Sequence, residues 1–130
     1  MKIQKRSDAE PFITLDGSTI REIVHPDTSR SVRQSLAEAS LDPGQATLEH
    51  KHIKSEEIYY IISGKGRMHL GSEVANMKKS DAVVIPPGTS HYIENSGDVE
   101  LVLLCCSSPA YSDDDTLISE QPKIQHTFRF

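Results

Sequence analysis

Apolar and polar residues alternate along this chain in short runs, cut at near-even spacing by turn-forming residues. Segments 19–24, 32–40, 46–50, 57–62, 67–70, 82–85, 91–95 and 99–106 have strand composition. The turns fall at Asp16-Gly17, Asp42-Pro43-Gly44, Ser63-Gly64, Gly71-Ser72, Pro86-Pro87-Gly88 and Ser96-Gly97. Many short strands joined by Gly/Pro turns predict an all-β domain, either a sandwich or a closed barrel. Segment 31–40 (SVRQSLAEAS) has a competing helical composition in its Leu, Ala and Glu. It reads as a strand because Leu36, Glu38 and Ser40 alternate with Ala37, Ala39 and Leu41.

Outside these segments the pattern weakens. Residues 1–18 are polar and mixed, and predict an N-terminal arm that lies over the sheet or exchanges with a partner subunit. Residues 107–130 hold an acidic run, Asp113-Asp114-Asp115, and end in Phe128-Arg129-Phe130. The run reads as a solvated loop, with a cation site as the alternative. The two phenylalanines predict that the tail docks on its own domain or on a neighbour's.

Composition narrows the function classes. At 130 residues the chain is one domain with one core. Its 14 Lys and Arg against 19 Asp and Glu leave a net charge of −5, which argues against nucleic acid as a partner. Mean hydropathy is −0.43. No apolar run approaches the ~20 residues of a membrane helix, and no charged-then-apolar leader opens the sequence. Neither a membrane nor a secretory signal is therefore expected.

The two cysteines, Cys105 and Cys106, are adjacent. Neighbours in a strand face opposite ways, so a disulfide between them would be strained. They sit in 99–106 (VELVLLCC), apolar on both faces, and read as reduced, buried thiols in a central strand. A redox pair or thiol ligand would be the alternative, but there is no CxxC spacing. Reduced thiols without a leader predict a cytoplasmic protein. The doubly apolar strand also predicts a homodimer, because a thin wall buries only one face internally.

Six histidines are many for so small a domain. His50 and His52, two apart, share one face of an extended segment. Glu56 and Glu57 follow after a short turn, and His91 follows Pro86-Pro87-Gly88. Three imidazoles and a carboxylate form an N/O donor set that suits Zn, Mn, Fe, Ni or Co and leaves positions open. Alternation does not choose between Glu56 and Glu57, since both faces of their strand are apolar.

Together these residues resemble the cupin family. Its first motif, G(X)5HXH(X)3–4E(X)6G, stands here as Gly44-QATLE-His50-Lys51-His52-IKSE-Glu57-IYYIIS-Gly64. That spacing selects Glu57. The second, G(X)5PXG(X)2H(X)3N, stands as Ser80-DAVVI-Pro86-Pro87-Gly88-TS-His91-YIE-Asn95, with Ser80 in place of the opening glycine. Fifteen residues, 65–79, separate the motifs, and the resemblance covers residues 30–106. It implies a double-stranded β-helix, or jelly-roll barrel, over 19–106. The arm (1–18) and the tail (107–130) then flank the barrel. It also implies one divalent transition metal per chain, held by His50, His52, Glu57 and His91.

With the ligands facing inward, Ala46 and Leu48, Tyr59 and Ile61, and Ile93 are expected to line a mostly apolar lumen that takes a small molecule. Tyr59 is then a proton donor, a substrate-orienting hydroxyl or an aromatic core residue. His69 would contact the substrate or support a ligand if it faces the lumen, or be an ordinary strand residue if it does not. Arg67 is the one candidate lumen cation, whereas a phosphosugar would need a cluster. His25 and His126 receive no role. The resemblance implies a metal-dependent enzyme acting on a small oxygenated molecule, of dioxygenase, isomerase or cyclase type. A metal-dependent binding or sensing module and a sugar-phosphate isomerase-like protein are the alternatives.

Overall fold

The computed structural model describes residues 1–119, in which eleven strands alternate with tight turns. They are β1 (Phe12–Ile13), β2 (Thr19–Val24), β3 (Ser35–Leu41), β4 (His50–His52), β5 (Glu56–Ser63), β6 (Lys65–Leu70), β7 (Glu73–Lys78), β8 (Ala82–Ile85), β9 (His91–Asn95), β10 (Leu101–Ser108) and β11 (Thr116–Ile118). Antiparallel pairing builds a six-stranded sheet, β1-β2-β3-β10-β5-β8, and a five-stranded sheet, β11-β4-β9-β6-β7. This is the all-β architecture that the turn spacing predicts, in the jelly-roll arrangement that the cupin resemblance implies, and the strand expected over 32–40 forms over 35–41.

The core lies between the sheets. Leu41, Ile61, Leu101 and Leu103 from the first sheet and Ile93 from the second are fully buried. Each such side chain contributes about 1.5–3 kcal/mol when taken out of water. Strand β5 shows strict period two: Glu57, Tyr59 and Ile61 are buried, while Glu56, Ile58, Tyr60 and Ile62 are exposed. Asn95 closes the core polar side, donating to the carbonyls of Leu41 (3.0 Å) and Val99 (2.8 Å) and accepting from Gly97 N–H (2.9 Å).

Two turns carry backbone that side chains rarely adopt. Gly64 has φ +85°, and a Cβ there would stand 2.6 Å from the Glu100 carbonyl oxygen, so only glycine fits. Ser80 has φ 74° in the place where the motif has glycine. Its N–H donates to the Ile61 carbonyl at 2.9 Å, holding the left-handed turn in place.

Several expectations need correction. Segment 46–50 is not a strand: Ala46 makes a lone bridge to Glu94, and β4 begins at His50. The last central strand is shifted to 101–108. Strand β7 escaped notice because Met77 is its sole buried residue, so no apolar alternation marks it. The arm is tied to its own sheet. Phe12 pairs with Ile20 in the β1–β2 hairpin, and Arg6 makes a bidentate ion pair with Glu38 (2.8 Å twice). The expected docking of Phe128 and Phe130 lies outside the described residues.

Candidate metal centre

The centre is assembled across the two sheets. His50 and His52 share one side of β4, and His50 pairs in register with His91 on β9. Glu57 reaches them from β5 in the facing sheet. The turn between β4 and β5 makes this crossing, and Asp115 clamps it. Its carboxylate accepts the N–H groups of Lys54 (2.8 Å) and Ser55 (3.1 Å), and its carbonyl accepts that of Ile53 (3.0 Å). Gly88 N–H donates to the His52 carbonyl at 2.6 Å, bringing the Pro86-Pro87-Gly88 loop and His91 to the same place.

His50, His52, Glu57 and His91 are all buried, and one donor atom from each lies within 4.8 Å of the others. Glu57 Oε1 is 3.2 Å from His52 Nε2 and 3.4 Å from His91 Nε2. The imidazoles are fixed from behind. His50 Nδ1 lies 2.7 Å from the Leu48 carbonyl and His91 Nδ1 lies 2.9 Å from that of Thr89. A carbonyl only accepts, so both Nδ1 atoms carry the proton and both Nε2 lone pairs face the centre. Glu57 Oε2 accepts from the Ser107 hydroxyl at 3.3 Å, leaving Oε1 for the centre.

These donors fit a cation. His52 Nε2, His91 Nε2 and Glu57 Oε1 are buried without a hydrogen-bond partner. Buried polar atoms are costly when left unpaired, and three lone-pair-bearing atoms aimed at one point are satisfied together by a metal ion. Burial alone would push the Glu57 carboxyl up, but His52 and His91 hold it down at about 2. Burial pulls His50 down, which favours the neutral ligand form. Burial lowers His52 too, but Glu57 outweighs it and the net direction is up.

The centre opens into a cavity lined by Tyr59 and Ile93 as expected, but by Thr47 instead of Ala46 and Leu48. Without a regular strand before His50, the period of two fails. Thr47 N–H donates to Ile93 O (3.0 Å) and its hydroxyl accepts from Ile93 N–H (3.1 Å), turning that side chain inward. Ile61 is buried in the core and does not line the cavity. Tyr59 stands edge-on to His91, ring centroids 5.9 Å apart, and burial pushes its phenol well above the usual range.

Other candidates face elsewhere. His69 does not meet the lumen. It stacks on Tyr92 on the outer face (4.0 Å, 8°) and lies 3.5 Å from Glu94, because β6 turns Met68 inward instead. Arg67 also faces out, 3.9 Å from Glu94. No Lys or Arg lines the cavity among the described residues. Cys105 lines the cavity and its burial raises the thiol well above the usual value, while Cys106 lies on the opposite face. Both are free and partly exposed, not the fully buried pair expected. His25 accepts from Asp27 N–H and its Nε2 meets the Tyr111 carbonyl (2.8 Å), while His126 lies outside the described residues.

Three contributors were missed. Asp16 Oδ2 is 3.7 Å from His50 Nε2. Thr116 holds His52 Nδ1 at 2.9 Å. Tyr111 stands edge-on to His52 with ring centroids 5.7 Å apart. Burial, with Asp113 beside it, pushes the Tyr111 phenol up to about 12. The Asp16-Gly17 turn signal marked the first as a loop tip. Thr116 and Tyr111 follow the last strong strand and carry no motif.

Known proteins share this architecture. The profile of the family described as the cupin domain matches residues 37–107. The chain is 55% identical over 111 residues to an uncharacterized protein of Methanocaldococcus jannaschii, covering 85% of this chain and 89% of that one. Among solved structures it is similar to a predicted oxalate decarboxylase from Thermotoga maritima. The TM-score is 0.74 and the identity 24%, over 83% of this chain and 99% of that one. It is also similar to Pac13, a nucleoside dehydratase of Streptomyces. The TM-score is 0.70 and the identity 24%, over 92% of both chains.

Proposed function

The chain belongs to the cupin family, and from that premise we propose a metal-dependent enzyme acting on a small oxygenated organic molecule held in the barrel lumen. The supporting observation is the convergence of three buried, unpartnered donor atoms on one point beside a cavity. His50, His52, Glu57 and His91 would hold one divalent transition ion: Fe, Mn, Zn, Ni or Co. When bound, such an ion supplies Lewis-acid or redox chemistry at the positions the protein leaves open.

The chain's own residues supply the rest. Ile93, Leu103 and Tyr59 exclude water from one side of the lumen and orient the molecule. Tyr59, held protonated by burial, is the proposed hydrogen-bond or proton donor there. His69, turned outward, is left out of this proposal. The reaction is proposed to be of dioxygenase, isomerase or cyclase type. A phosphosugar substrate is disfavoured by the lack of a cation among the described lining residues.

The test is elemental analysis of the purified protein, followed by oxygen uptake measured across diketones, catechols and keto-sugars. Iron with substrate-dependent uptake supports a dioxygenase. Zinc, manganese, nickel or cobalt with exchange of a substrate proton supports an isomerase or cyclase. Tight binding with neither replaces the enzyme by a sensing module, and absence of metal sinks the reading.

We also propose a homodimer through the outer face of the six-stranded sheet. Ile58, Tyr60, Ile62 and Val84 are exposed there in adjacent positions on β5 and β8. They continue onto Leu104 and Cys106 of β10, which pair with Tyr60 and Ile58. An apolar patch of this kind, with Glu56 and the Arg6–Glu38 pair at its margins, suits a second copy of itself. Sedimentation as a monomer at micromolar concentration would exclude it. The free cysteines suit a reducing, cytoplasmic location.

A further inference from the structure

We infer that Asp16 selects the molecule bound at the metal centre, favouring a neutral ligand that presents a hydroxyl and disfavouring carboxylates and phosphates. The inference rests on the metal-dependent reading above and names the ligand class for that site.

Asp16 sits at the tip of the β1–β2 hairpin, outside both histidine motifs, and two sets of bonds hold it in place. Its carbonyl accepts Leu48 N–H at 2.8 Å, tying the hairpin to the segment that leads into β4. Its Oδ1 accepts both the N–H (3.0 Å) and the hydroxyl (2.7 Å) of Ser18, which is itself buried. Oδ1 is thereby committed, and Oδ2 is left to face His50 Nε2 at 3.7 Å. The side chain is 14% exposed and lines the cavity. It stands outside the four-donor cluster, so its carboxylate borders the space that a bound molecule would enter.

Charge then decides what enters. The two positive charges of a divalent ion are matched by Glu57 and Asp16 before any ligand arrives. Glu22 adds a further carboxylate to the lining, and no described lining residue is Lys or Arg. An anionic ligand would therefore bring uncompensated negative charge into a poorly solvated site. A neutral molecule with a hydroxyl beside its metal-binding oxygen meets no such cost and donates that hydroxyl to Oδ2.

The experiment compares two small probes of similar shape and different charge, hydroxyacetone and glycolate. Each is titrated into the cobalt-loaded full-length protein and followed by the visible absorption of the ion. Asp16→Asn keeps an oxygen for Ser18 while removing the charge. It is expected to weaken hydroxyacetone and tighten glycolate, shifting the ratio of their Kd values about tenfold, the scale for one like charge a few ångströms away. Ser18→Ala keeps the charge but loses the 2.7 Å clamp, and is expected to weaken hydroxyacetone about threefold while leaving glycolate within about twofold. If Asp16→Asn does not fold, Ser18→Ala carries the test. Ratios unchanged in variants that retain cobalt overturn the inference while leaving the metal centre standing. A wild-type protein that takes up no cobalt overturns the metal-centre reading and this inference with it.

Discussion

The hydroxyl of Thr116 sets the tautomer of His52. Thr116 Oγ1 donates its one proton to the Ser112 carbonyl at 2.9 Å, so toward His52 Nδ1, also at 2.9 Å, it accepts. Nδ1 therefore carries hydrogen and Nε2 presents its lone pair to the centre. Thr116→Val keeps the shape and removes both bonds. Metal affinity is expected to fall about 10–100-fold, as for other losses behind a ligating histidine. Competition against a chromophoric chelator measures it, and an unchanged Kd would show that Thr116 does not orient the ring.

The two adjacent glutamates make a sharper comparison. Glu57 is buried beside His52 and His91, and Glu56 points to solvent from the same strand. Glu57→Ala, His50→Ala and His91→Ala are each expected to abolish stoichiometric metal, whereas Glu56→Ala retains it. Elemental analysis after gel filtration decides. Metal retained in the first three would mean that the ligand set is wrong.

Ser80 occupies left-handed backbone that costs a non-glycine residue about 1–2 kcal/mol. Glycine would remove that strain and add about 0.4–1 kcal/mol of unfolded-chain entropy to be lost on folding. Strain wins, and Ser80→Gly is expected to stabilise the protein by about 0.5–1 kcal/mol. Urea denaturation at equal m-value reads this directly. A lower midpoint would show that the turn is relaxed with serine in it.

How far the site was legible follows from where its residues sit. His50, His52, Glu57 and His91 lie on regular strands or just after a fixed turn, so spacing in sequence translates into position in space. Thr47 breaks the rule because the backbone before His50 is irregular, and parity counted back from His50 names its neighbours instead. His69 was ambiguous because one residue of register on β6 decides between lumen and surface, and its own apolar neighbours do not mark which. Asp16, Tyr111 and Thr116 reach the centre from the chain's two flanks by contacts of high sequence separation. Local pattern carries no trace of such contacts.

Asp115 shows what such a distant contact supports. Its carboxylate accepts two backbone N–H bonds from the turn that carries Glu57 across from β4. Burial is the largest single influence and opposes ionisation, but the bonds from Lys54 and Ser55, with His52 nearby, together outweigh it, and its pKa lies below the usual carboxylate value. The folded protein therefore holds that proton less tightly than the unfolded chain. The stabilisation is complete above the unfolded-state value of about 3.9 and is lost as pH falls through the lower folded-state value. Asp115→Asn removes the titration and retains one acceptor, at a neutral-pH cost of about 1 kcal/mol, the scale of a lost capping bond. Urea midpoints measured from about pH 6 down to about pH 2.5 should converge for the two proteins at the acid end. Curves that stay parallel throughout would mean that Asp115 does not clamp the turn as a carboxylate.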